Sequence, residues 1–140
     1  MDRSASAVWR GSLKVGKGTI STQSGTLKET QYSFAGRFES GVGTNPEELI
    51  AAAHAGCFTM ALSAELGKEN FTPESIETSA VVTLDLHGTP TVTKIRLTTK
   101  AKIPNIDKAK FDEIAAGAKA GCPISRLLAA AEITLDATLL

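Results

Sequence analysis

Aromatic residues are scarce in this chain: they make up 5% of its 140 residues, with one Trp and one Tyr. Net charge is missing too, because 15 Lys and Arg offset 15 Asp and Glu. Without a basic surplus, or basic runs interleaved with rings, there is no field to draw in nucleic acid or an anionic membrane. Long apolar runs are also absent. The longest nearly uncharged stretch, Leu49 to Ser63, contains His54 and falls short of the roughly 20 residues that span a bilayer. It reads as a buried helix. The opening residues, Met1 to Trp9, lack the apolar centre of a secretory signal. A cytoplasmic location is expected, with neither membrane nor nucleic acid as partner. Cysteine occurs only at positions 57 and 122. One distant pair makes a poor disulfide framework, and no CxxC dithiol motif is present. GxGxxG, Walker and GxSxG patterns are missing as well, so dinucleotide, nucleotide and serine-hydrolase chemistry have no support.

What is present is an ordinary globular composition, 42% apolar and 21% charged. It is long enough for one domain, residues 1–140, with its own core. The first third is strand-like and turn-rich. Ala7 to Leu13 and Gly18 to Thr22 flank a turn, Tyr32 to Glu39 reads as a further strand, and Gly41 and Gly43 break it. Thr44-Asn45-Pro46-Glu47-Glu48 is a helix start, with Asn45 as cap, Pro46 at the first helical position and two carboxylates in the electropositive first turn. The helix runs from Pro46 to about Gly67, roughly 30 Å. Its many small residues, among them Ala51, Ala52, Ala53, Gly56 and Ala64, allow close approach on more than one side. Ile76 to Leu86 and Val92 to Ile103 alternate as a long hairpin. Ile106 to Ala120, capped by Asp107, is a second helix whose buried side is Ala109, Phe111, Ile114, Ala115 and Ala118. Cys122-Pro123 opens a short third helix, and Glu132 to Leu139 closes the chain as a strand. The class is α+β.

Few residues could carry chemistry. Cys57 lies in mid-helix among alanines, where a cysteine is either a small core residue or a nucleophile. Cys122, at a helix N-terminus, is either a poor cap or a thiol whose pKa the helix end lowers. His54 reads as a satisfied helix histidine. It can share a helix face with Cys57, but His87 sits at a hairpin turn, so neither a metal nor another cofactor is expected. Arg37, between small and apolar residues, either pairs with a carboxylate at the rim or faces Cys57 and stabilises its thiolate. Ten residues separate Glu47 from Cys57, about 15 Å along a straight helix. A shared site then needs a bend, or a second copy of the chain crossing at a two-fold axis.

Two blocks carry a family resemblance. One is Gly43-Thr44-Asn45-Pro46-Glu47-Glu48-Leu49-Ile50-Ala51-Ala52-Ala53-His54-Ala55-Gly56-Cys57-Phe58; the other is Ala118-Lys119-Ala120-Gly121-Cys122-Pro123-Ile124-Ser125. Trp9-Arg10-Gly11, Lys17 to Thr22 and Asp107 fit too. With these the chain resembles the OsmC/Ohr family, osmotically inducible protein C and organic hydroperoxide resistance proteins, and the OsmC branch in particular. The resemblance implies antiparallel sheets packed around a long central helix, in an intertwined homodimer with two sites. It implies a cysteine-based peroxidase that takes organic hydroperoxides, and hydrogen peroxide more weakly, to alcohols or water. Cys57 matches the peroxidatic cysteine, Cys122 the resolving one, Arg37 the arginine that holds the thiolate, and Glu47 the carboxylate that pairs with that arginine. A Cys57 sulfenic acid and then a Cys57–Cys122 disulfide are implied. An external dithiol, a lipoylated protein or a thioredoxin-like one, would reset the pair. The alternative is a non-catalytic, stress-induced redox sensor or binding protein of the same fold.

Overall fold

In the computed structural model, which describes residues 1–140, the chain divides into two units, Met1–Leu49 and Ile50–Leu140. The first unit holds three antiparallel strands in the order β1 (Ala5–Arg10), β2 (Lys17–Thr22) and β3 (Thr30–Tyr32). Gly18 pairs with Trp9 on one side and Tyr32 on the other. A Cβ there would stand 2.3 Å from the Tyr32 ring and 2.7 Å from the Trp9 ring. Glycine is what lets those rings meet, at 5.3 Å between centroids. The strand expected over Tyr32 to Glu39 is a helix for most of its length, α1 (Phe34–Phe38). Strand-like residue types lose to a local cap here: the Ser33 hydroxyl accepts from the Gly36 N–H at 3.0 Å. The resulting i,i+4 spacing brings Phe34 and Phe38 to 4.9 Å.

The longest element, α2 (Pro46–Lys68), begins at the end of the first unit and runs on through the second. Its cap is the expected one, Asn45 Oδ1 accepting from the Glu48 N–H at 2.8 Å. The helix outlasts the uncharged run at its middle, and by length and composition alone it would pass for a membrane span. Here it lays His54, Phe58, Leu62 and Leu66, one residue per turn, into the protein interior.

In the second unit, β4 (Ser75–Asp85) pairs antiparallel with β5 (Thr91–Lys102). The closing strand β6 (Glu132–Leu139) pairs with β5 in parallel, so this sheet is mixed rather than purely antiparallel. The connection explains it. Two helices, α3 (Lys108–Gly121) and α4 (Pro123–Leu127), carry the chain back to the starting end of β5, as a parallel pairing requires. Asp107 caps α3 as expected, its carboxylate accepting from the Lys110 N–H at 2.9 Å. Phe58, Leu62 and Leu66 pack with Leu97 and Ala101 of β5 and with Phe111, Ile114, Ala115 and Ala118 of α3. Ala109, expected on that buried side, faces solvent, because at about 100° per residue it falls on the opposite side of α3 from Phe111 and Ala118.

Candidate active site

Two pairs of the residues singled out above meet, one pair in each unit. In the second, Cys57 projects from the middle of α2 next to Phe58, which with Leu62 anchors the helix, and Cys122 stands at the N-cap position of α4. Both are free thiols, Cys57 half-buried and Cys122 fully buried. Their sulfurs are 3.1 Å apart and linked by a hydrogen bond. That is about 1 Å longer than the bond length of a disulfide, about 2.05 Å.

Their environments push the two thiols in opposite directions. Burial pushes Cys57 up, and so does the contact with Cys122, against a smaller opposing pull from the Ile124 N–H. Burial pushes Cys122 up as well, but donors outweigh it: the Ser125 N–H, the Cys57 thiol, the Ser125 hydroxyl and the Ile124 N–H together leave it lowered. The two thiols are thus pushed apart, Cys57 up and Cys122 down. For Cys122 the direction is the one a helix start gives: it makes no side-chain cap bond of regular geometry, yet the N–H groups of the first turn of α4 pull its pKa down. A positive charge close to Cys57 would favour its thiolate against that burial.

In the first unit, Arg37 in the last turn of α1 meets Glu47 in the first turn of α2. Arg37 Nη2 donates to Glu47 Oε1 at 2.7 Å, and Nε donates to both carboxylate oxygens at 3.2 and 3.3 Å. This two-pronged pairing fixes the plane of the guanidinium. Arg37 is 37% exposed and Glu47 14%, so the carboxylate is the anchored partner and the cation faces outward. Beside Arg37 lies an open cavity of about 220 Å³, walled by Trp9, Leu13, Tyr32, Phe34 and Phe38. Composition hid this wall: few rings in the chain, but four of them gathered here by the tight β1–β2–β3 pairing and the Ser33 cap.

His54 is the other residue that sequence reasoning undervalued. It is fully buried, and its Nε2 lies 2.7 Å from Ser125 Oγ, yet its Nδ1 has no hydrogen-bond partner. Only half of it is satisfied. The signal in the sequence was its position three residues before Cys57, which places both on neighbouring turns of one helix. No group of three or more His, Cys, Asp or Glu side chains is arranged to hold a metal ion.

Comparison with known proteins agrees with the resemblance read from the two blocks. The OsmC-like protein family matches residues 38–138. Peroxiredoxin OsmC of Escherichia coli strain K12 is 55% identical over 131 residues, 93% of this chain and 91% of that protein. Among solved structures, the OsmC-like protein from Mycoplasma pneumoniae superposes with a TM-score of 0.78 at 15% identity, covering 100% of this chain and 98% of that one. The organic hydroperoxide resistance protein OhrB of Bacillus subtilis does so with a TM-score of 0.65 at 25% identity, covering 98% of each chain. At 15% identity a likeness speaks for the fold alone; the near-full-length match at 55% speaks for descent. This chain belongs to the OsmC-like family, on the OsmC branch of the OsmC/Ohr proteins.

Proposed function

We propose that this chain is a cysteine-based peroxidase that reduces organic hydroperoxides, and hydrogen peroxide more weakly. The observation that carries the reading is the 3.1 Å separation of the Cys57 and Cys122 sulfurs. The Cys57 thiolate attacks the outer oxygen of ROOH; the O–O bond breaks, a proton joins the departing oxygen, and ROH leaves behind a Cys57 sulfenic acid. Cys122 then attacks the sulfenic sulfur, one water leaves, and a Cys57–Cys122 disulfide remains. An external dithiol, on a lipoylated or a thioredoxin-like protein, restores both thiols by exchange. Arg37 is the proposed source of positive charge for Cys57, with Glu47 holding its guanidinium in plane.

The ring-lined wall beside Arg37 supports an organic substrate, since an apolar R group gains from leaving water where hydrogen peroxide has nothing to bury. The two free thiols suit a reducing compartment, the cytoplasm. Residues 1–140 act as one domain in a homodimer. In steady state with an excess of dithiol, each chain should consume many equivalents of cumene hydroperoxide, with a higher kcat/KM than for hydrogen peroxide. Oxidation that stops after one equivalent per chain would defeat the enzyme and leave a redox sensor. Equal kcat/KM for both peroxides would defeat the organic preference.

A further inference from the structure

Helix α4 has five residues and buries one side chain, Ser125, while Leu127 stays 75% exposed. A helix that short does not hold itself in place; its neighbours must. Backbone bonds tie it to α3 and to itself. The Cys122 N–H donates to the Ala118 carbonyl at 2.9 Å, and the Arg126 N–H donates to the Cys122 carbonyl at 3.0 Å. Neither reaches α2, the helix that carries Cys57. Two side-chain bonds do. The Cys122 thiol donates to the Cys57 sulfur at 3.1 Å, and His54 Nε2 and Ser125 Oγ share a hydrogen bond of 2.7 Å.

These two bonds lie about one helical turn apart. His54 precedes Cys57 by three positions on α2, and Ser125 follows Cys122 by three across the first turn of α4. Residues spaced by three are neighbours on one helix face. Only one of the bonds outlasts the chemistry. Oxidation of Cys57 places an oxygen on its sulfur and ends the thiol–thiol bond, whereas His54 and Ser125 take no part in the reaction. Packing alone does not account for the imidazole. It is fully buried in line with Phe58, Leu62 and Leu66, and its Nδ1 has no partner. An apolar side chain at that position would avoid the unsatisfied nitrogen.

We infer that His54 and Ser125 are positioning residues: their buried bond clamps α4 to α2, and so holds Cys122 against Cys57 until a sulfenic acid there is resolved. The inference rests on the peroxidase reading for its purpose. In resolution the Cys122 sulfur forms the S–S bond as the S–O bond of the Cys57 sulfenic acid breaks. The hydroxyl leaves with the proton of the Cys122 thiol, as water. A second peroxide competes for the same sulfenic acid and takes it to sulfinic acid. Holding the resolving sulfur in place favours the disulfide by proximity.

The test uses the full chain equilibrated in buffers of oxidised and reduced dithiothreitol, with the Cys57–Cys122 disulfide quantified after acid quench. In this exchange the chain gives two hydrogens to the oxidised dithiol and gains one S–S bond. The equilibrium constant measures how closely the fold holds the two thiols, and global stability does not enter it while the chain stays folded. His54→Phe and Ser125→Ala should each lower the constant by about tenfold, which is about 30 mV. The double variant should fall no further, since either change removes the same bond. His54→Gln, which keeps a polar group at the reach of Nε2, should restore most of the loss. Under excess cumene hydroperoxide, intact mass should show the same order, with more sulfinic acid and less disulfide in the two single variants than in wild type. Unchanged constants in folded His54→Phe and Ser125→Ala chains overturn the clamp, and so does a double variant whose loss is the product of the single losses. Where His54→Phe does not fold, His54→Gln beside Ser125→Ala decides. A constant near wild type for the former and about tenfold lower for the latter supports the clamp, and equal constants overturn it. The exchange needs no peroxide. A chain that shows this pattern but fails to turn over peroxide loses the proposed activity and keeps the clamp.

Discussion

Burial acts on both thiols in the same direction, and only Cys122 has enough donors around it to reverse the effect. That asymmetry sets what the remaining residues must do. Burial and Cys122 push the Cys57 thiol up, a cation would favour its thiolate, and Arg37, locked to Glu47 with its outer edge exposed, is the group proposed to do so. Arg37→Met should slow peroxide reduction by about 100-fold or more at neutral pH. The deficit should shrink as pH rises, because an uncompensated Cys57 of raised pKa still ionises once the medium is alkaline enough. Arg37→Lys should recover only part, since an ammonium keeps the charge but cannot make the paired bonds that Nε and Nη2 make to Glu47. Stopped-flow peroxide consumption across pH gives both answers. An unchanged rate and profile in the methionine variant would leave Arg37 as a surface partner of Glu47.

At the scale of elements, what was legible in the sequence is what local chemistry dictates. Asn45-Pro46 and Asp107 announce the starts of α2 and α3 because a capping side chain and a missing N–H act within a single turn. The alternation of Ile76, Thr78, Ala80 and Val82 announces β4, because its period of two matches a half-buried strand. Phe34 to Phe38 misled because aromatic, strand-favouring residues outvoted one serine, whose bond to the Gly36 N–H is visible only in three dimensions. The parallel pairing of β6 was hidden for a different reason: a strand's residues are the same whichever way its neighbour runs, and only the path through α3 and α4 decides. In the candidate site the same divide holds. Cys57, Cys122, Arg37 and Glu47 were nameable from two motif blocks and the residues just before them. His54 with Ser125, 71 positions apart, and the ring-lined wall beside Arg37 come from packing between distant segments, which no spacing records.

For the whole molecule, the uncovered side of α2 matters most. Ala53, Gly56, Met60, Ser63 and Ala64 face solvent along it, Met60 with 76% of its surface exposed. Every buried apolar side chain belongs to the second unit, and the first has none. Both features favour the proposed homodimer, in which a second copy covers small residues that allow close approach. A dimer also gives Glu47, about 15 Å along the helix from Cys57, a route to serve the thiol of the partner chain. Inactive Glu47→Ala chains co-refolded with inactive Cys57→Ser chains should then regain peroxidase activity, since one of the two sites in the mixed dimer is wild type throughout. A mixed dimer without activity would confine each site to one chain, and a fully active monomer by light scattering would remove the dimer as well.

The central claim, that Cys57 and Cys122 form one two-cysteine redox centre, is tested most directly by intact mass and peptide mapping after substoichiometric peroxide. The account predicts a loss of about 2 Da per oxidised chain, the two hydrogens given up with the new bond, and a Cys57–Cys122 cross-link within one chain. In Cys122→Ser the same treatment should leave a sulfenic acid on Cys57 or its over-oxidised products. Fast peroxide consumption with both thiols still free in the wild-type chain would contradict it.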